Sequence, residues 1–313
     1  MLEAFNLTLI TVAVLLLVAA SGYILIKTKM LREGSIADFS KVLLYVSQPC
    51  LAVYTFLQIE YSPEKLLELG VLALLSFAII LLMLVGTYLV LRKKCEKAIY
   101  RIMTIATAFA NCAFFGIPII KALLEEQAAE LIIYTTIFAL VMNIAGWTVG
   151  SAIISRNVKY MSVKKIFLNP ATIGIAIALV IFIFSVPVEK NIADMIDITG
   201  RMATPLSMVI MGMRLGTMKL SSLFKDIKVY LTVAVKMIVM PLVAFLLVYF
   251  LPISSGVKMT FYIICACPSA SVVLNFSELV GEGQKEAASI VLMSTMASML
   301  TMPVMMLMLP LLA

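Results

Sequence analysis

The chain has 313 residues, of which 63% are hydrophobic and 13% charged, and its mean hydropathy is +1.11. This much apolar surface excludes a soluble protein of this length and predicts an integral membrane protein whose partner is the lipid bilayer. The net charge of +7 is spread over loops without a continuous patch, which excludes a nucleic-acid partner. The absence of histidine excludes histidine-dependent catalysis and histidine metal sites. The five cysteines form no CxxC pair, so no disulfide framework, zinc site or other cofactor is indicated.

The apolar segments have the length of helices and predict an all-α membrane protein rather than a membrane barrel. In chain order they are residues 5–26, 37–58, 66–91, 98–123, 129–154, 166–187, 192–217, 227–251, 257–280 and 285–312. The first follows Glu3 and no basic residue, whereas a cleaved signal peptide begins with a positively charged region. We therefore expect this span to be retained. Ten spans divide into five plus five, and an odd number per half inserts the halves in opposite orientations. The sequence therefore predicts an inverted repeat with halves at 1–155 and 166–313.

Lysine and arginine are concentrated in alternate loops, which hold eighteen of them against four in the other loops. The eighteen are Lys27, Lys29, Arg32, Lys41, Arg92, Lys93, Lys94, Lys97, Arg101, Arg156, Lys159, Lys164, Lys165, Arg214, Lys219, Lys225, Lys228 and Lys285. Because basic loops stay in the cytoplasm, this distribution predicts that both termini lie outside.

Two of the spans contain residues that interrupt a helix. They are Asn111, Gly116 and Pro118 in the fourth span, and Pro268, Ser269, Ser271 and Asn275 in the ninth. A shift of 157 residues places Asn111 on Pro268, and the same shift places Pro118 on Asn275. A helix break at membrane depth is tolerated only inside protein or beside a water-filled cavity. The sequence therefore predicts two broken helices, inserted in opposite senses, that cross at a polar site where these seven residues bind the substrate.

The chemistry of this site favours an anion. No acidic residue lies at the centre of a predicted span, which disfavours a cationic substrate. The second halves of the broken helices would point their N-terminal ends at the crossing, and such ends attract carboxylates. Asn111, Asn275 and Asn143 of the fifth span would add neutral hydrogen bonds, although Asn143 could equally bond a neighbouring helix. We expect a small organic anion, a mono- or dicarboxylate, as the substrate.

Two basic residues lie inside predicted spans, where an unpaired charge is costly. Arg201 follows Asp197 by four residues, so it either pairs with Asp197 on one helical face or lines the path and attracts an anion. Lys236 lies deep in the eighth span, where it either forms an ion pair with Glu278 or acts as a protonatable coupling site.

The Asn-x-x-x-x-Gly-x-Pro motif beginning at Asn111, the break around Pro268, and ten spans in 313 residues resemble the auxin efflux carrier family. This family includes plant PIN carriers and bacterial malate or malonate permease-like proteins, and the resemblance covers the whole chain. It implies a secondary transporter with the fold of bile-acid sodium symporters. Spans 1, 2, 6 and 7 would form a scaffold, and spans 3–5 and 8–10 a mobile core with elevator-type alternating access. A homodimer is also implied.

The chain departs from the plant members of this family in two places. The second span reads Pro49-Cys-Leu-Ala-Val-Tyr54, so a polar contact expected there is missing. The long cytoplasmic loop of plant carriers is absent, which suits a protein of the bacterial cytoplasmic membrane. A sodium-coupled symporter of bile-acid type is the alternative within transport, and an intramembrane receptor or enzyme is the alternative outside it. The coupling ion, proton or sodium, stays open.

Overall fold

The structure, a computed structural model, describes residues 2–157, 159, 161–218 and 226–313 and is all-α. Lys219 and Lys225 lie outside the described residues. With the short 3₁₀ and π turns that continue a helix counted as part of it, the helices are α1 (Leu2–Lys27), α2 (Ser35–Leu57), α3 (Pro63–Lys94), α4 (Ala98–Ala108), α5 (Cys112–Leu123), α6 (Glu125–Ser155), α7 (Val163–Phe167), α8 (Pro170–Ile183), α9 (Lys190–Arg201), α10 (Ala203–Thr217), α11 (Ile227–Tyr249), α12 (Ser255–Ala266), α13 (Val272–Val280) and α14 (Gln284–Met306).

Within the described ranges, six helices are long and apolar enough to cross a membrane, namely α1, α2, α3, α6, α11 and α14. Four shorter helices, α4, α5, α8 and α12, are also apolar. Three of the shorter ones arise because the predicted fourth and ninth spans are interrupted, as expected: α4 is separated from α5, and α12 from α13. The predicted seventh span is divided as well, between α9 and α10 at Met202.

Helices α1 and α10 approach each other to backbone contact. A Cβ atom placed on Gly212 of α10 would lie 1.7 Å from the carbonyl oxygen of Ala19, and one on Gly22 of α1 would lie 2.0 Å from that of Val209. Small residues of this kind allow membrane helices to pack closely, since lipid provides little hydrophobic force to hold them together. These glycines therefore fix the spacing of α1 and α10.

Close backbone approach at glycine also joins α2 to α8 and α9. A Cβ on Gly174 of α8 would meet the Cα of Pro49 at 2.6 Å, and one on Gly200 of α9 would meet the Cα of Leu51 at 2.9 Å. Pro49 and Leu51 are neighbours on α2, so one turn of α2 receives both helices. Helices α2, α8 and α9 thus form a second closely packed group.

The remaining helices enclose the two interrupted segments. Helix α3 packs on α4 and α6, while α11 packs on α12 and α14, and α14 also contacts α4 and α13. Helix α6 also contacts α12, where the rings of Phe138 and Phe261 meet and are fully buried. The segments between α4 and α5 and between α12 and α13 therefore lie inside protein, away from lipid, as a helix break requires.

Replacing Gly212 with alanine is expected to destabilise the protein, because the added methyl group has no space unless α1 and α10 move apart. An overpacked helix contact costs about 1–3 kcal/mol. Gly86→Ala is the matched control, since a Cβ at Gly86 meets nothing within 4 Å. Thermal unfolding in detergent should show a lower midpoint for Gly212→Ala and no loss for Gly86→Ala. Equal midpoints for the two variants would contradict this description of the α1 and α10 contact.

Candidate functional site

The two interruptions meet each other and exchange backbone hydrogen bonds. The N–H of Asn111 donates to the carbonyl of Pro268 at 2.8 Å, and the N–H of Ala270 donates to the carbonyl of Phe109 at 3.0 Å. Ala110 and Ser269 form an isolated antiparallel bridge between these bonds. Each break therefore satisfies polar groups that the other has freed, which confirms the predicted crossing of the two segments.

The first break lies at the N-terminal end of the stretch that holds Asn111, Gly116 and Pro118. The chain leaves the helix at 109–111 and re-enters it through a π-helical turn, Cys112–Gly116. Pro118 follows in the first turn of the α-helical part, Ile117–Leu123, where its missing N–H is tolerated. Gly116 is buried, and a Cβ there would lie 3.7 Å from Cys267 Sγ, an ordinary contact distance. Pro118 and Gly116 thus shape α5, while Asn111 lies at the break.

Ser269 connects the crossing to two further helices. Its hydroxyl donates to the carbonyl of Ala106 near the end of α4 at 3.0 Å, and its N–H donates to Ser294 Oγ of α14 at 3.1 Å. Both serines are fully buried. Ser269 was predicted to bind the substrate, and in the structure its hydroxyl has a backbone partner. The contact with Ser294 was not predicted, because a serine within an apolar span has no pattern in the sequence that indicates its partner.

A cavity of about 130 Å³, called the inner cavity below, lies beside the crossing. Its polar lining residues are Ser40, Gln48, Asn111, Asn143, Asn169, Ser207, Arg214, Ser271 and Asn275. Four residues chosen from the sequence, Asn111, Asn143, Ser271 and Asn275, are therefore brought together. Pro268, Ser269, Gly116 and Pro118 do not line it. No aspartate or glutamate is among the described residues that line this cavity.

Asn111 has a side chain whose hydrogen bonds are incomplete. The residue is 4% exposed, and within the described residues its Nδ2 atom is buried with no hydrogen-bond partner. A buried amide without a partner is unfavourable by about 1–3 kcal/mol. Because Asn111 lines the inner cavity, its NH₂ group can donate to a molecule bound there. Asn275 is exposed and Asn143 half-buried, so these two asparagines lie closer to the cavity mouth.

Arg201 lies elsewhere, in a second cavity of about 370 Å³ that we call the outer cavity. Its guanidinium donates from Nε to Asp197 Oδ1 at 2.6 Å, which confirms the predicted pair, and it also approaches the hydroxyl of Tyr54 at 3.5 Å. Pro118 and Lys121 line the same cavity. Arg201 is thus paired and separate from the crossing, although it borders a space between α2, α5 and α9.

The predicted ion pair between Lys236 and Glu278 is wrong. Lys236 Nζ donates to the carbonyl of Cys265 at 3.0 Å, while Glu278 Oε1 lies 3.2 Å from Arg214 Nη1. The reason is geometric: Glu278 lies near the end of α13, beside the end of α10, whereas Lys236 of α11 faces the end of α12 at the break. Arg214 also lines the inner cavity. It was not predicted as a site residue, because it was grouped with the basic loop residues that indicate membrane orientation.

Replacing Ser294 with alanine tests whether α14 holds the crossing in place. The buried N–H of Ser269 would lose its acceptor, which costs about 1–3 kcal/mol. Ser298→Ala is the control, because Ser298 is equally buried on the same helix but its hydroxyl donates within that helix, to the carbonyl of Thr295. We expect a lower midpoint of thermal unfolding for Ser294→Ala than for Ser298→Ala. If the order is reversed, the contact between α14 and the crossing is unimportant.

Comparison with known proteins agrees with the geometry. The model of a family described as membrane transport protein matches residues 7–306, which is nearly the whole chain. No curated protein sequence matches the chain significantly. Among the described residues, no group of three or more histidine, cysteine, aspartate or glutamate side chains could hold a metal ion. The chain belongs to this family, the auxin efflux carrier family, and is a multi-pass membrane transporter, not an enzyme.

Proposed function

We propose that the protein is a secondary active carrier that moves a small organic anion, a mono- or dicarboxylate, and binds it in the inner cavity. The observation that carries this proposal is the buried Nδ2 group of Asn111, which has no partner in the described part of the chain and borders a cavity without carboxylates. A buried donor in a space that holds no competing negative charge favours a ligand that accepts hydrogen bonds.

The helix ends at the crossing support an anion further. Helices α5 and α13 both begin at the inner cavity, where Cys112, Ala113 and Val272 line it. The N-terminal end of a helix carries a partial positive charge and unpaired N–H groups, and both attract carboxylates. Arg214 adds a positive charge at the same cavity, which its ion pair with Glu278 offsets in part. An anion is therefore favoured without a permanent charge in direct contact with Asn111.

The position of the two cavities supports alternating access. The inner cavity is lined by Gln48 of α2 and Arg214 of α10, and the outer cavity by Tyr54 of α2 and Thr204 of α10. One half of each of these two helices thus faces the inner cavity, and the other half faces the outer cavity. By the distribution of basic loops, the inner cavity lies toward the cytoplasm and the outer cavity toward the opposite side. A substrate could reach the crossing from either side if the protein alternates between them.

Under this proposal, α1, α2 and α8–α10 form the scaffold, and the other helices that pack around the crossing form the mobile core. Three pairs, α4 with α5, α9 with α10, and α12 with α13, each count as one interrupted span, which gives ten spans in two inverted halves. The close glycine contacts within the scaffold favour a rigid body. The ion pair between Arg214 and Glu278 would join scaffold to core and would break when the core moves.

The experiment is uptake of radiolabelled mono- and dicarboxylates, such as acetate and succinate, into proteoliposomes. Asn111→Ala should reduce the initial rate at low substrate concentration by roughly 10- to 100-fold, as expected for the loss of a hydrogen bond to a charged group. Asn111→Asp should reduce it further, because the added carboxylate repels the anion. Asn191→Ala, at an exposed position bonded to Glu189, is the control and should transport normally. An Asn111→Ala protein with the wild-type rate would overturn the proposed site.

A further inference from the structure

Lys236 is a buried cation that has no role in the proposed binding of the anion. Its side chain is 0% exposed and lies in a π-helical turn of α11, Val235–Val239. Among the described residues, the hydrogen-bond partners of its ammonium are the carbonyl oxygen of Cys265 at 3.0 Å and the Sδ atom of Met240 at 3.2 Å. No carboxylate of the described residues lies within ion-pair distance of it. Because a buried ammonium without an opposite charge is costly, its surroundings must supply negative potential.

That potential comes from the broken end of α12. Helix α12 ends at Ala266, and the last carbonyls of a helix have no partner within it and carry its negative partial charge. The neighbouring carbonyl of Ile264 accepts the N–H of Cys267, a neutral donor. The carbonyl of Cys265 instead accepts from Lys236. A full positive charge is therefore held against the carbonyl end of this half-helix.

In the described part of the chain, no charged side chain bonds the corresponding end of α4. There the carbonyl of Ala106 accepts the hydroxyl of Ser269, and that of Phe109 accepts the N–H of Ala270, so both donors are neutral. The shift of 157 residues that relates the two halves places Lys236 on Ile79, which is fully buried and apolar. One of the two broken ends thus has a resident cation and the other does not. The cation is a feature of this end and is not a general requirement of the crossing.

Lys236 also lies close to the anion cavity without lining it. Helix α12, whose Cys265 carbonyl binds Lys236, packs against the π turn that begins α5, and Cys112 of that turn lines the inner cavity. Two residues beyond Ala266, Pro268 bonds the N–H of Asn111. Lys236 therefore acts on the site without lining it, by holding the end of α12 and by adding its positive charge to the electrostatic potential there. It is a positioning residue that does not contact the substrate.

We propose that Lys236 is a tethered cation: it supplies at the broken end of α12 the positive charge that a carrier without it would take from solution as a bound alkali ion. Anion uptake by this protein therefore does not depend on sodium. This inference rests on the proposed function only for its uptake measurement, because the role of the charge at the helix end can be tested on the protein without substrate.

The first experiment measures thermal unfolding in detergent without substrate, at constant ionic strength. The wild-type midpoint should be the same in sodium chloride and choline chloride. Lys236→Ala should lower it, and added propylammonium or sodium, which can occupy the place of the lost ammonium, should restore part of the loss. Met237→Ala is the matched control, because Met237 is equally buried in the same π turn but uncharged. Its midpoint should fall without any recovery by either cation.

The second experiment measures carboxylate uptake with sodium or choline outside the vesicles. The wild-type rate should be equal in both, Lys236→Arg should retain most of it, and Lys236→Gln, which keeps a donor but loses the charge, should lose at least about tenfold. If Lys236→Ala cannot be purified, these variants decide the question alone. A wild-type rate that requires sodium, or a fully active Lys236→Gln protein, overturns the tethered cation.

The two proposals fail in different ways. If the wild type takes up no carboxylate under any condition, the proposed function fails, while recovery of the Lys236→Ala midpoint by propylammonium still supports the charge at the end of α12. If uptake occurs but requires sodium, the carrier function stands and the tethered cation is rejected. If propylammonium stabilises the Met237→Ala control as much as Lys236→Ala, the recovery is not specific and the tethered cation is likewise rejected.

Discussion

Backbone groups freed at membrane depth need partners, and the structure depends on how two helix breaks meet this requirement. Each break alone would leave N–H and carbonyl groups without water to receive them, at a cost of several kcal/mol for each group. Here the two breaks exchange hydrogen bonds through Asn111, Pro268, Ala270 and Phe109. The crossing is thus a consequence of satisfying the backbone, and the polar site is a consequence of the crossing.

Two properties of the site follow from this arrangement. The bridge satisfies the backbone of Asn111 but not its side-chain amide, which stays available beside the inner cavity. The breaks also leave helix ends of opposite character, because α5 and α13 begin where α4 and α12 end. The beginning ends favour an anion, and the terminal ends need donors, which Ser269 provides for α4 and Lys236 for α12. A site for an anion can therefore be built mainly from backbone dipoles and amides.

Much of this could be predicted from the sequence because its signals are local. Pro268 and the group of Asn111, Gly116 and Pro118 identify the interrupted spans, and the repeated spacing indicates that they belong together. Asp197 and Arg201 lie four residues apart on one helix, so their pair was also predictable. The family was recognisable for the same reason, since its most specific residues are those at the breaks.

Contacts between helices distant in sequence could not be predicted in this way. The partner of Glu278 depends on the path of α13 after the break, and that of Lys236 on how α11 packs against α12, and no local spacing specifies either. Ser294 and Arg214 had no distinguishing pattern, because a serine in a span and an arginine near a loop both have ordinary explanations. The π-helical turn Cys112–Gly116 between the first break and Pro118 was not predicted, because no local pattern distinguishes it from an α-helical turn.

The most direct test of the central claim is the distance between a bound carboxylate and the side chain of Asn111. Solid-state NMR can measure the dipolar coupling between ¹³C-carboxylate-labelled succinate or acetate and the side-chain ¹⁵N atoms of asparagine in reconstituted protein. A hydrogen bond of about 2.9 Å between nitrogen and oxygen should give a strong coupling that disappears in Asn111→Ala. Bound carboxylate with no such coupling, or a coupling unchanged in that variant, would show that the anion does not bind at the crossing.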